Sequence, residues 1–161
     1  MPVRVERATV EDVPIILEMI RGLAEYEKLA DTVIATEEAL RRTLFGPRPY
    51  AEVLLAYDAA EPVGFALFFP NYSTFLAKPG LYLEDVFVKP QARGRGIGLA
   101  LLKRLAAIAR DRDYGRMEWT VLDWNESAIG FYKKLGAVVR DEWRICRMTE
   151  NAIQKLAAEQ T

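Results

Sequence analysis

The chain contains no histidine and a single cysteine in 161 residues. Without histidine there is no usual general base, no Ser-His triad and no His-ligated metal site, so proton chemistry falls to Glu, Asp, Lys, Tyr or water. The lone Cys146 cannot form an intramolecular disulfide, and its place beside Ile145 in an alternating stretch reads as core rather than nucleophile. No apolar run reaches the roughly 20 residues that cross a bilayer. The start, from Met1 to Glu6, has no signal-peptide character. A cytoplasmic protein with no membrane partner is the expectation. Charge is nearly balanced, with 22 basic and 23 acidic residues interspersed. That leaves no surplus of cations for neutralising many phosphates, so no nucleic-acid partner is expected, and no metal.

What is present is apolar: 51% of the chain is hydrophobic, enough for one compact core, and a single domain over 1–161 is expected. Val3 and Val5 alternate with polar neighbours as a half-buried strand does, and Thr9 with Asp12 offers a capping pair before a helix that has Pro14 in its first turn. Val13, Ile16, Leu17, Ile20, Leu23 and Ala24 form its inward face, and its end carries Tyr26 and Glu27. Thr36 caps a second helix that stops at Phe45-Gly46-Pro47. The period then changes to that of strands, with 53–57 and 63–69 forming a hairpin around a five-residue loop at 58–62. A loop over 70–80 leads to a strand at 81–88.

Glu84 and Asp85 are adjacent in the middle of that strand. Neighbouring strand residues point to opposite faces, so at least one carboxylate faces a core or a cleft. After it come Lys89 to Arg93 and the turn Gly94-Arg95-Gly96-Ile97-Gly98, which opens a helix striped by Ile97, Leu101, Leu105 and Ile108 and stopped near Gly115. Strand, glycine turn and helix N-terminus together make an anion site suited to phosphates. A strand over 117–122 makes a right-handed parallel crossover with 81–88. Asn125 caps a helix through Ile129, Phe131, Tyr132 and Leu135, closed by Gly136; 137–139 and 143–148 read as two final strands, and 151–158 as a tail helix.

The residues alone leave alternatives open. Gly94-x-Gly96 also fits a dinucleotide fingerprint, but five residues separate it from the strand and Leu99 occupies the third small position. Glycines serving only a tight turn would leave the helix-start N–H groups, Arg93 and Arg95 without a partner. Tyr132 lies one helical turn from Ile129 and Leu135, the spacing of a core aromatic. The two strand acids could be a buried structural pair.

Gln91-x-x-Gly94-x-Gly96 between strand and helix, with Asn125 and Phe131-Tyr132-Lys133 further on, resembles the acetyl-CoA signature of the GNAT N-acetyltransferase superfamily. Leu23 to Leu29, Tyr82-Leu83-Glu84-Asp85, Arg93 to Gly98 and Val121 to Asn125 resemble the diamine (spermidine/spermine-like) acetyltransferase family, most of all its thialysine N-epsilon-acetyltransferase branch. The resemblance implies an α/β (α+β) fold whose mostly antiparallel twisted sheet splays at a central parallel strand pair, with acetyl-CoA in the split. It implies that Val86, Phe87 and Val88 meet the pantetheine arm and that Arg93, Gly94, Arg95, Gly96, Ile97, Gly98 and Leu99 meet the pyrophosphate. Asn125, Ser127, Ala128 and Tyr132 complete that site. Tyr26, Glu27, Glu84, Asp85, Glu118, Trp119 and Thr120 would face a small-molecule amine, in a homodimer with C-terminal strands near its interface.

For the chemistry so implied, a phenol with a pKa near 10 suits a departing thiolate near 8.5, which makes Tyr132 the general acid. Glu84 is the first candidate for the base, Asp85 the second, and their roles can be exchanged. Ser73-Thr74-Phe75 lacks the acid that polyamine-acetylating relatives carry, which favours an amine bearing its own carboxylate, such as a lysine analogue. The alternatives are a polyamine acetyltransferase and a non-catalytic acyl-CoA-binding domain.

Overall fold

The computed structural model describes residues 3–159; the first two and last two residues of the domain expected over 1–161 lie outside the described residues. The chain divides into two compact units, 1–120 and 121–161.

In the first unit, β1 (Val3–Arg7) leads to a capping box in which Asp12 accepts from the Thr9 backbone N–H at 2.7 Å. This satisfies donors that a helix start leaves orphaned, and α1 (Val13–Tyr26) follows with Pro14 in its first turn. Val13, Ile16, Leu17, Met19 and Ala24 are its buried residues. Thr36 caps α2 (Glu37–Phe45) by accepting from Ala39 N–H at 3.1 Å. Together α1 and α2 close over Val53, Leu55, Phe65 and Phe87 on one face of the sheet.

That sheet runs in the order β1, β2 (Glu52–Asp58), β3 (Glu61–Ser73), β4 (Lys78–Val88), β5 (Met117–Glu118). All neighbours are antiparallel except β4 and β5, which are parallel and joined through α3 (Ile97–Asp111). The expected crossover is therefore present, in a mixed α/β fold with helices flanking a five-stranded sheet. On the face opposite α1, Gly64 lies against Ile97 and Leu101 of α3.

The β2–β3 connection is a two-residue turn, not a five-residue loop, because Ala59 takes a left-handed conformation (φ 55°) and β3 starts at Glu61. The loop expected over 70–80 shrinks to 74–77, since β3 and β4 stay paired out to Ser73 and Lys78. Helix α3 ends at Asp111 and the left-handed residue beyond it is Asp113 (φ 56°), not Gly115. The strand expected over 117–122 pairs only at Met117 and Glu118.

The second unit holds α4 (Glu126–Lys134), capped by Asn125 and followed by Gly136 at φ 98°, and α5 (Glu150–Ala158). Residues 137–139 and 143–148 are not strands. They have no ladder partner among the described residues, and a strand exists only by pairing. Cys146, expected in the core, is exposed, as are Trp143 and Ile145 in the same alternating stretch.

Candidate active site

The donor side is built from backbone. β5 pairs with β4 only at Leu81 and Tyr82, so from Leu83 onward that edge of β4 has no strand partner among the described residues. Lys89 N–H donates to Val63 O on β3 at 2.8 Å, so the Val88 carbonyl of the same peptide points the opposite way, to the open edge. Strand alternation puts the Val86 backbone on that edge as well. Phe87 is buried against α1, and its side chain belongs to the core.

The turn after β4 follows the same pattern. Gly94 and Gly96 both sit at φ +77°, a region costly for any residue with a Cβ, and a Cβ built on either would meet nothing within 4 Å. Gly96 is the N-cap of α3 and offers no side-chain cap. The first intrahelical bond runs from Ala100 N–H to Gly96 O at 2.9 Å. The N–H groups of Ile97, Gly98 and Leu99 lie ahead of it, at the positive end of the helix dipole. An open strand edge followed by a bare helix start suits a pantetheine arm followed by a pyrophosphate. Ile97 contributes only backbone, since its side chain is buried.

The two arginines of the turn do have protein partners, contrary to the argument from sequence. Arg95 pairs with Asp58 at 2.5 Å. Arg93 donates through Nε to Val88 O at 3.0 Å and lies over the Tyr26 ring at 4.6 Å.

The acceptor side is built from charge. Leu67 pairs with Asp85 and Phe68 with Leu83, which leaves Glu84 as the extra residue of a β-bulge. Directly opposed residues share a face. Leu83 therefore stays with Phe68 on the α3 face, while Asp85 joins Leu67 on the face that α1 covers. A regular strand would have put Leu83 and Asp85 on one face.

Burial pushes the Asp85 carboxyl up to about 6, with the negative charges of Glu84 and then Glu27 adding to the shift. Burial also raises Glu27, at the C-terminal cap of α1. The structure thus brings Glu27, Glu84 and Asp85 into one electrostatic group, with Tyr26 beside it in sequence. Glu84 is exposed and Asp85 partly buried.

Other candidates are otherwise engaged. The Glu118 carboxylate pairs with Arg116 at 3.0 Å and accepts from Asn71 at 3.2 Å. Trp119 is partly buried and Thr120 exposed. Ser73 is buried, and its Oγ accepts from Leu76 N–H at 3.2 Å to hold the 74–77 turn. Phe75 at the tip of that turn is 100% exposed, so it lines no pocket in this unit.

In the second unit, Asn125 Oδ1 accepts from Ala128 N–H at 3.3 Å, so the Asn125 side chain and that N–H serve the helix cap; Ser127 lies in the first turn. Tyr132 is partly buried, its ring 5.7 Å from that of Phe131. Among the described residues no group of His, Cys, Asp or Glu is placed to hold a metal ion, and no helix is long and apolar enough to cross a membrane.

A strand edge opened by a short parallel partner and continued by a glycine-started helix suits a phosphate-bearing donor. Residues 19–137 match the acetyltransferase (GNAT) family, and the chain belongs to it. It is 41% identical to the thialysine N-epsilon-acetyltransferase of Bos taurus, over 89% of this chain and 91% of that protein. It is 36% identical to an L-ornithine N5-acetyltransferase of Arabidopsis thaliana, over 95% and 87% respectively. An integron cassette protein from the mobile metagenome of V. cholerae superposes with a TM-score of 0.80 at 30% identity, covering 99% of both chains.

Proposed function

We propose that this protein transfers the acetyl group of acetyl-CoA to a primary amine of a small molecule, by direct attack and without a covalent enzyme intermediate. We take it to act as one domain and as a cytoplasmic homodimer. The preferred acceptor is a thialysine- or lysine-like amino acid or a short diamine. The observation that carries this is the group of three carboxylates, Glu27, Glu84 and Asp85, where α1 meets β4. Such a group attracts an ammonium and can relieve it of a proton. Relatives named for ornithine and thialysine, each an amino acid with a side-chain amine, support the same acceptor class.

The donor supplies an activated thioester. The chain's part is to hold it through Val86, Val88 and the N–H groups of residues 97–99, and to move two protons. The amine arrives mostly protonated, so a base must take a proton before attack. A carboxyl poised near 6 is better matched to that task than one at the ordinary value. Asp85 is thus the proton acceptor, directly or through water, poised first by its burial and then by the charges of Glu84 and Glu27. This uses the exchange of roles that the sequence leaves open. Tyr132 donates the proton that the departing thiolate needs.

The test is release of free CoA from acetyl-CoA with thialysine, lysine, ornithine, diamines, spermidine and an N-terminal peptide. Thialysine, lysine or ornithine should lead. Spermidine leading would favour the polyamine reading. Thermal stabilisation by acetyl-CoA with no turnover on any amine would favour a non-catalytic binding domain. Tyr132→Phe should lower kcat by about 100-fold while leaving acetyl-CoA affinity nearly unchanged; full turnover would remove Tyr132 from the mechanism.

A further inference from the structure

Arg93 belongs to the glycine turn by sequence, but its side chain is used on the other side of the site. Its Nε donates to the Val88 carbonyl at 3.0 Å on the open edge of β4. Its guanidinium lies 4.6 Å from the centre of the Tyr26 ring and 5.7 Å from that of Phe87. Arg95, two residues on, rests instead on the surface carboxylate of Asp58.

Tyr26 is the last residue of α1, and Glu27 follows as its C-cap, donating its N–H to Leu23 O at 2.9 Å. The chain then turns through Lys28 at φ 62°, so the Glu27 backbone is set by the end of α1 that Tyr26 closes. One turn earlier, α1 sits directly on Phe87: a Cβ on Gly22 would lie 2.8 Å from that ring. Gly22, Phe87, Tyr26 and Arg93 therefore form one packed stack, with the donor turn at one end and the first acceptor carboxylate at the other.

We infer that Arg93 is a positioning residue for the amine site: by stacking on Tyr26 while bonded to Val88, it holds Glu27 in register with Asp85 and ties that geometry to the donor turn. This rests on the reading that the three carboxylates receive the amine. A planar guanidinium does this where an ammonium cannot, because it offers a stacking face and a fixed Nε donor at once. By linkage, whatever orders the turn also orders the amine wall, so donor and amine bind with positive coupling.

The experiment is a double-mutant cycle of Arg93→Ala and Tyr26→Leu, with Arg93→Lys and Tyr26→Phe as conservative variants. Arg93→Ala and Tyr26→Leu should each raise the amine KM about tenfold, the size of a cation–π contact with its hydrogen bond. The double variant should be no worse than the worse single one. Tyr26→Leu should leave acetyl-CoA affinity within about twofold, Tyr26→Phe, which keeps the stacking ring, should recover most of the amine KM lost in Tyr26→Leu, and Arg93→Lys should fall between. An unchanged amine KM in both single variants, or effects that multiply in the double one, would overturn the inference.

A second readout needs no turnover. The Asp85 carboxyl, followed by carbon NMR across pH, should move its midpoint in Arg93→Ala and in Tyr26→Leu but not in Tyr26→Phe. A midpoint the same in all four proteins would reject the positioning role even for an enzyme whose amine is unknown. Absent turnover with a moving midpoint would reject only the proposed function.

Discussion

Two neighbouring stretches of β4 are built by different means. At the strand's C-terminal end and in the following turn, the proposed donor site is made of backbone: an edge at Val86 and Val88 without a strand partner among the described residues, two left-handed glycines and a helix start with no side-chain cap. Four residues earlier the proposed acceptor site is made of side chains, with Glu84 bulged out and Asp85 turned toward α1 beside Glu27. A backbone site suits a phosphate-bearing donor. A side-chain site can change its acceptor by changing single residues. On the proposed reading, the glycine turn holds the donor and the carboxylates select the amine.

The sharpest way to break this division is Asp85→Asn. It should lower kcat by about 100-fold or more and leave acetyl-CoA affinity within twofold, as measured by steady-state kinetics and calorimetric titration. The same variant should be more stable than the parent at pH 8. The Asp85 carboxyl titrates near 6 in the fold against about 4 in an unfolded chain, so the folded state binds the extra proton between those values. Its contribution to stability is present below about 4 and lost as pH rises through 6. Melting curves at pH 5 and pH 8 should show the gain mainly at the higher pH.

The donor side should fail in the opposite manner. Gly96→Ala forces a Cβ into φ +77° with no clash to relieve, a backbone strain of about 1–2 kcal/mol. Acetyl-CoA affinity should drop about tenfold, with the amine KM nearly unchanged. A smaller effect is expected at Asp58, whose carboxylate pairs with Arg95 and would compete with a bound phosphate for it. Asp58→Asn should tighten acetyl-CoA about two- to threefold at low salt, and less at high salt where exposed pairs are screened.

The same contrast explains what could be read from sequence. Gly94-x-Gly96 after an apolar strand announces a backbone site because glycine spacing and helix starts are local, and the parallel crossover follows from element order. The acceptor side depends on a bulge, which shifts every later residue to the other face. One trace of it is visible: the residues facing α3 in β4 are Leu81, Leu83, Val86 and Val88, so the alternation slips by one between Leu83 and Val86. Tyr82 and Phe87, apolar on the other face, conceal that slip. Which arginine stacks on Tyr26 and which pairs with Asp58 is decided by tertiary packing, beyond the reach of spacing. The strands expected at 137–139 and 143–148 were inferred from alternation, which marks residues able to pair but cannot supply a partner.

In the proposed mechanism burial, with the charges of Glu84 and Glu27, poises the Asp85 carboxyl to take the amine's proton. Its most direct test is the pH profile of kcat/KM for the preferred amine in the parent, Glu84→Gln and Glu27→Gln. The parent should show a break near 6, and each variant, having lost a negative charge beside Asp85, should move that break to lower pH, Glu84→Gln the further of the two. A parent with no break in that region, or a break that stays in place in both variants, would contradict the account.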